Sequence, residues 1–173
     1  MIQYCVSVGV LLVSTSPLLA AVDLEQELGV IKELLQAEHT VAARARTEEL
    51  LRAHPANPAL LYLLAFSQAR DGEVDKSEAV RLALELVNNP GVSASLYGSA
   101  AELALEAAHN SDNDSLIREA SQQVTIRDSQ RPLQDKTTRE LALTLLGEQL
   151  LLQVMLAQTV TDRVMTEVGR VRC

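Results

Sequence analysis

The fold of this chain is decided by residues 58–90, which read PALLYLLAFSQARDGEVDKSEAVRLALELVNNP. Two runs of Leu, Val and Ala at helical spacing are separated here by Asp71-Gly72, and the second run ends at Pro90. Apolar residues that recur every three or four positions predict amphipathic helices, whereas Gly and Pro predict the turns between them. The segment therefore predicts two helices joined by a short turn.

Helical spacing continues on both sides of this segment. Between Leu24 and His54 the sequence predicts two further helices, separated near His39, and Pro55 ends the second of them. No stretch alternates apolar and polar residues for long enough to predict a strand. The predicted fold class is all-α.

The composition excludes several classes of function. The chain has 173 residues, of which 47% are hydrophobic and only 2% aromatic, and its formal net charge is −8. Nucleic acids and anionic membranes attract basic surfaces, so neither is predicted as a partner. Two Cys cannot form a disulfide-rich scaffold or a four-Cys zinc site.

The turn signals recur along the chain. Pro55 and Pro90 are 35 residues apart, and the same shift places Leu61 on Leu96. A period in the mid-thirties with two helices in each unit is typical of a helical hairpin array.

The best-matched unit, residues 44–89, resembles the tetratricopeptide repeat (TPR) family. Ala65 occupies the small position where the two helices of a unit cross, and Gly72 matches the turn. The unit departs from the family pattern at Gln68, which replaces an aromatic residue, and at Arg81, which replaces a large apolar one. The resemblance implies a short α-solenoid of about three hairpins over residues 22–128.

Residues 129–173 are predicted to form a long C-terminal capping or dimerisation helix. Leu141 to Val160 is very apolar, with Glu148 as its only charge, but Gln149 and Gln153 argue against a membrane span. We therefore expect a core helix that caps the array and is packed on more than one side. A dimer seam is the alternative, because heptad-like spacing is kept by Leu143, Leu146, Leu150, Ala157, Val160 and Val164.

Residues 1–21 are interpreted as a secretory signal peptide. They carry no charged side chain, and an apolar run precedes small residues at Ala20 and Ala21. An uncleaved anchor and a buried first element of a cytosolic protein are the alternatives. Cleavage would export the chain, to the periplasm or another extracytoplasmic space, with Cys173 as its remaining Cys.

The candidate partner-binding residues are Tyr62, Phe66, Arg70 and Tyr97. The first three are spaced i, i+4, i+8 on one predicted helix and therefore share a face. Tyr97 follows Tyr62 by 35 residues, which places it at the matching position of the next hairpin. In a TPR-like array, residues at this position of the first helix line the concave surface, which the family commonly uses to bind peptide segments. The predicted surface is extended by Ile31, Leu35, Ala101 and Leu105.

Ordinary core packing is the alternative interpretation of this aromatic stripe, with the last helix folded into the groove. The Lys and Asn residues that clamp a peptide carboxylate in some family members are absent from this sequence, so a C-terminal peptide is not predicted.

No sequence motif predicts catalysis. The three His residues, His39, His54 and His109, lie at predicted helix ends, and no HExxH, GxSxG or phosphate-binding glycine loop occurs. We expect a non-catalytic protein without metal or cofactor, acting as an interaction scaffold or assembly factor of the cell envelope. The alternatives are a cytosolic TPR-like chaperone or adaptor with an uncleaved N-terminus, and a helical enzyme with no recognisable motif.

Overall fold

The fold consists of α-helices throughout the part of the chain that the structure describes. The computed structural model describes residues 17–72 and 75–171, and the side chains of residues 24–72 and 75–159. Over these ranges there is no strand, which confirms the all-α prediction. The helices are α1 (Pro17–Gln36), α2 (Thr40–Ala53), α3 (Pro58–Arg70), α4 (Ser77–Asn88), α5 (Ala94–His109), α6 (Asp114–Gln130) and α7 (Lys136–Val171).

The first six helices pack as three consecutive hairpins, α1 with α2, α3 with α4, and α5 with α6. The first helices of the hairpins also contact one another in the order α1, α3, α5, and α5 in turn contacts α7. On the other side α4 contacts α6. We refer to the surface formed by α1, α3 and α5 as the first-helix face.

Side-chain caps fix where α3, α5 and α6 begin. The Asn57 side chain accepts hydrogen bonds from the backbone at the start of α3, and Pro58 occupies the first turn, where its missing N–H costs nothing. Ser93 caps α5 and Asn113 caps α6 in the same way. Successive side chains of a helix point about 100° apart around its axis. The residue at which a helix begins therefore decides which of its side chains face the core.

Two apolar clusters form the interior. The larger cluster extends from α3 to α7 and is centred on α4, which buries seven of its 12 residues. The smaller cluster joins the first three helices through Ile31, Ala43, Leu60 and Leu63. Tyr62 packs against both clusters, so α3 links them.

Arginine side chains connect successive hairpins. Arg127 of α6 donates from Nη2 to the carbonyl of Asn88 at 2.6 Å and from Nε to that of Val87 at 3.3 Å. These carbonyls lie at the C-terminus of α4, where a cation is favoured by the helix dipole. Arg44 of α2 similarly donates to the buried carboxylate of Asp71 at 3.0 Å.

The long last helix is only partly packed. Its first half buries the stripe Thr138, Ala142, Leu145 and Gln149 against the array, and Gln149 donates to Asp114 at the start of α6. Beyond that point every described residue of α7, from 150 to 159, is exposed. The prediction of a helix packed on more than one side was therefore wrong for residues 150–159, because α6 begins at Asp114, which lies opposite Gln149.

The predicted signal peptide falls mostly outside the described residues. Only positions 17–21 are described, and they belong to α1, which begins at Pro17. Its cleavage therefore stays a prediction.

Candidate functional site

Three of the four predicted binding residues form a continuous ridge on α3. Tyr62, Phe66 and Arg70 follow one another at one-turn intervals, as their spacing predicts. The rings of Tyr62 and Phe66 have centroids 6.1 Å apart and are tilted by 35°. The guanidinium carbon of Arg70 lies 4.7 Å from the centre of the Phe66 ring, within the range of a cation–π contact. We refer to these three residues as the aromatic ridge.

A groove lies on each side of the aromatic ridge. Toward α1 there is a cavity of about 420 Å³, lined on the α1 side by Lys32, Leu35 and Gln36. Toward α5 two smaller cavities of about 180 and 290 Å³ follow the ridge. The two aromatic side chains are partly buried and Arg70 is exposed, so the ridge projects between open spaces.

The two grooves differ in charge. Arg70 borders the grooves on both sides of the ridge, and the groove toward α1 also contains Lys32 and Glu38. The groove toward α5 is bordered by Glu102 and Glu106, which stand one turn apart on an exposed edge of α5. Burial raises the pKa of the Tyr62 hydroxyl, and the charge of Glu102 raises it further. A bound segment would therefore meet an acidic edge on the α5 side of the aromatic surface.

The structure does not bring Tyr97 into this site. Its side chain is only 2% exposed and lies in the main core, with the Arg131 guanidinium 5.0 Å from its ring centre. The expectation that Tyr97 shares a face with Tyr62 was wrong because the first helices are offset by 36 residues, the spacing of their caps Asn57 and Ser93. A single residue turns a helical side chain by about 100°, which is enough to move Tyr97 from the surface into the core.

Three of the four predicted extensions of the surface also lie outside it. Ile31, Ala101 and Leu105 are completely buried, and only Leu35 lines the groove. The positions of α5 that correspond to Phe66 and Arg70 at the 36-residue offset are Glu102 and Glu106. The sequence carries a signal for this register, because Ser93 follows Pro90 by three positions whereas Asn57 follows Pro55 by only two.

The last helix does not cover the aromatic ridge. Among the described helices α7 contacts α6 and α5 but not α3. The alternative in which the C-terminal helix folds into the groove is therefore not the arrangement in this structure.

The opposite face offers a larger but less suitable cavity. A space of about 560 Å³ lies between α4 and α6, next to Arg81 and Gln123. Arg81 is already paired there, at 2.6 Å with Glu78 and at 3.5 Å with Glu85. No aromatic side chain lines this space.

Titratable residues are scattered over the described chain. His39 and His54 flank α2, and His109 ends α5, so all three lie at helix ends as predicted. Among the described residues no three His, Cys, Asp or Glu side chains are grouped so as to hold a metal ion.

Comparison with known proteins gives no relative for this chain. No family model, no curated protein and no solved structure matches it.

Proposed function

We propose that this protein binds a peptide segment of a partner protein along the aromatic ridge and acts as a non-catalytic scaffold or assembly factor. The observation that carries the proposal is a partly buried aromatic pair held between two open grooves on the first-helix face. Aromatic and Arg side chains in such positions are the usual energetic centres of protein interfaces.

The ridge is suited to binding because its side chains already contact one another before a ligand arrives. Phe66 is fixed between Tyr62 on one side and the Arg70 guanidinium on the other. An ordered side chain loses little conformational entropy on binding, which leaves more of the contact energy for affinity.

The chemistry of the grooves defines the ligand. The groove toward α1 has apolar walls at Leu35, Leu63 and Phe66, which suit an aliphatic or aromatic side chain. The groove toward α5 presents Glu102 and Glu106, which suit a Lys or Arg. We therefore propose a ligand segment that carries an apolar residue and a basic residue on neighbouring sides.

Two further parts of the proposal come from the sequence. The hairpin array supports a TPR-like architecture, and the uncharged residues 1–21 support export to the cell envelope. Mass spectrometry of the mature N-terminus tests export, because an intact Met1 in the cytosolic fraction would favour the cytosolic adaptor instead.

Selection of peptides from a random display library tests the binding site. Peptides selected on the wild-type protein are expected to contain an apolar residue near a Lys or Arg. The variant Phe66→Ala should weaken their binding by about 30-fold or more, since a central aromatic anchor contributes about 2 kcal/mol or more. The double variant Glu102→Gln, Glu106→Gln should weaken peptides with a basic residue and leave purely apolar ones unchanged.

A matched control lies on the other face. Arg81→Ala alters the cavity between α4 and α6 and should leave peptide binding unchanged. If Phe66→Ala folds normally and binds the selected peptides as well as the wild type does, the proposed site is wrong.

A further inference from the structure

Residues 150–159 of α7 present apolar side chains in most directions around the helix. At about 100° per residue, the large hydrophobic side chains of this stretch are spread over about 240° of the circumference. A helix that is apolar on nearly all sides requires apolar surroundings on nearly all sides. These side chains are between 46% and 65% exposed: Leu150, Leu151, Leu152, Val154, Met155 and Leu156.

The polar side of the same part of α7 faces the array. Gln149 is buried and donates from Nε2 to Oδ1 of Asp114 at 3.1 Å. One turn later, the amide oxygen of Gln153 lies 2.9 Å from a guanidinium nitrogen of Arg118, in the amide orientation that satisfies both groups. The two amides that argue against a membrane span are therefore bonded to α6, and the apolar side chains point away from it.

A second helix would cover only a small part of this surface. Ten helical residues are about 15 Å long and a helix is about 10 Å wide, so one side offers a contact strip of about 150 Å². A stable interface between two proteins buries about 800 Å² on each partner. A helix laid against one side would also leave the apolar side chains of the opposite side in water. Lipid acyl chains, which are as apolar as Leu, would surround the helix on all the sides that α6 leaves uncovered.

The length of the apolar surface indicates how it meets a bilayer. By length and composition the stretch Lys136–Thr159 is apolar enough to cross one, but Leu145 and Gln149 in its first half are buried against the array. The exposed ten residues span about 15 Å, whereas the hydrocarbon core is about 30 Å thick. In the sequence, Glu148 and Asp162 stand on either side of an uncharged run. A short apolar helix with charges at both ends is suited to lie in the plane of the membrane, at the boundary of headgroups and acyl chains.

We infer that residues 150–159 of α7 insert into one leaflet of a bilayer and hold the array at its surface. The first half of α7 is docked on α6, so the inserted part is joined rigidly to the hairpins. Zwitterionic lipid is the partner, because a formal net charge of −8 provides no attraction to anionic headgroups. The inference does not depend on the proposed peptide binding, since the aromatic ridge lies on α3, which α7 does not contact.

Flotation of the full-length protein with phosphatidylcholine vesicles tests the inference. The wild type should float with the vesicles. The double variant Leu151→Asp, Met155→Asp should bind them at least about 100-fold more weakly, because two large apolar side chains no longer gain by leaving water. The uncharged residues 1–21 are present in every variant, so they do not account for a difference.

A matched control changes two apolar side chains elsewhere. Val41 and Ile126 are 62% and 58% exposed, on α2 and α6, which is similar to the exposure of Leu151 and Met155. The double variant Val41→Asp, Ile126→Asp adds the same charge and should bind vesicles as the wild type does. Circular dichroism should show wild-type helix content for both double variants, because all four positions are exposed.

Fluorescent labels show whether lipid surrounds the helix. In a background with both Cys replaced by Ser, a single Cys carrying a nitrobenzoxadiazole label is placed in turn at positions 150, 151 and 156, which point at least about 100° apart. Vesicles should shift the emission of all three labels to shorter wavelength. The same label at position 85, on the exposed surface of α4, should be unaffected.

Three results would overturn the inference. A wild type that does not float with vesicles at millimolar lipid would exclude the membrane, and if it then sediments as a dimer, the surface is a protein interface instead. A variant Leu151→Asp, Met155→Asp that floats as well as the wild type would show that another part of the chain binds lipid. An emission shift at only one of the three labels would show a helix covered on one side.

Discussion

Replacing Tyr97 by Ala removes an aromatic ring from the main core, whereas the same replacement at Tyr62 removes one from a partly open surface. The side chain of Tyr97 is 2% exposed, while that of Tyr62 keeps contact with the grooves. At the 35-residue repeat predicted from the sequence, Tyr62 and Tyr97 would occupy matching positions of successive hairpins. The structure makes them different, so the paired substitutions test the 36-residue register directly.

The expected costs follow from the area that each ring removes from water. A fully buried Tyr removes about 150–250 Å² at about 25 cal/mol per Å², which gives about 4–6 kcal/mol as an upper bound. Measured losses for core aromatics truncated to Ala are about 3–5 kcal/mol, and we expect this range for Tyr97→Ala. Tyr62→Ala should cost only about 2 kcal/mol, because part of its ring is already in water.

Urea denaturation followed by circular dichroism measures this difference. Tyr97→Phe is the matched control and should stay within about 1 kcal/mol of the wild type, because its ring is retained and the Tyr97 hydroxyl has no hydrogen-bond partner among the described residues. Equal losses of stability for Tyr97→Ala and Tyr62→Ala, or a larger loss at Tyr62, would refute the register.

Three further predictions concern contacts that hold the array together. Arg127→Met should lower the free energy of unfolding by about 1–2 kcal/mol in denaturant titration, because the carbonyls of Val87 and Asn88 lose a charged donor. An unchanged free energy of unfolding would show that this contact contributes nothing. Asn57→Ala should cost about 1 kcal/mol in the same assay by removing the cap of α3, and Asn57→Ser should recover most of it. Hydrogen bonds from Thr138 hold the pKa of the Asp135 carboxyl below its ordinary 3.8. The contribution of the Asp135 carboxylate to stability is therefore present above pH 3.8 and is lost as the pH falls through the lowered pKa. The difference in the free energy of unfolding between the wild type and Asp135→Ala should vanish in acid and persist at neutral pH.

The helices could be predicted from the sequence because their apolar spacing and their turn residues agree. The turns near His39, Pro55, Gly72 and Pro90 all lie between helices in the structure. Each of these positions depends on local chemistry, namely the conformational limits of Pro and Gly and the preferences of capping side chains.

The 36-residue offset between α3 and α5 could not be predicted from the spacing of the Pro residues alone. The loop from Pro90 to Ser93 contains one residue more than the loop from Pro55 to Asn57, and this insertion rotates the whole of α5. As a result the acidic edge of Glu102 and Glu106 was missed and Tyr97 was misplaced. Counting from the helix caps rather than from the prolines would have found the correct face.

The exposure of residues 150–159 of α7 could not be predicted either. A run of apolar residues predicts burial, but what it is buried against depends on where the neighbouring helix starts. Here α6 begins at Asp114, opposite Gln149, and the apolar residues after Gln149 extend past it.

Photo-crosslinking in living cells tests the central claim most directly. A photoreactive benzoylphenylalanine placed at position 66, in the aromatic ridge, should form a discrete covalent adduct with a partner protein. The same residue placed at position 85, on the exposed surface of α4, should form none. A specific adduct at position 85 and none at position 66 would contradict the assignment of the aromatic ridge as the binding surface.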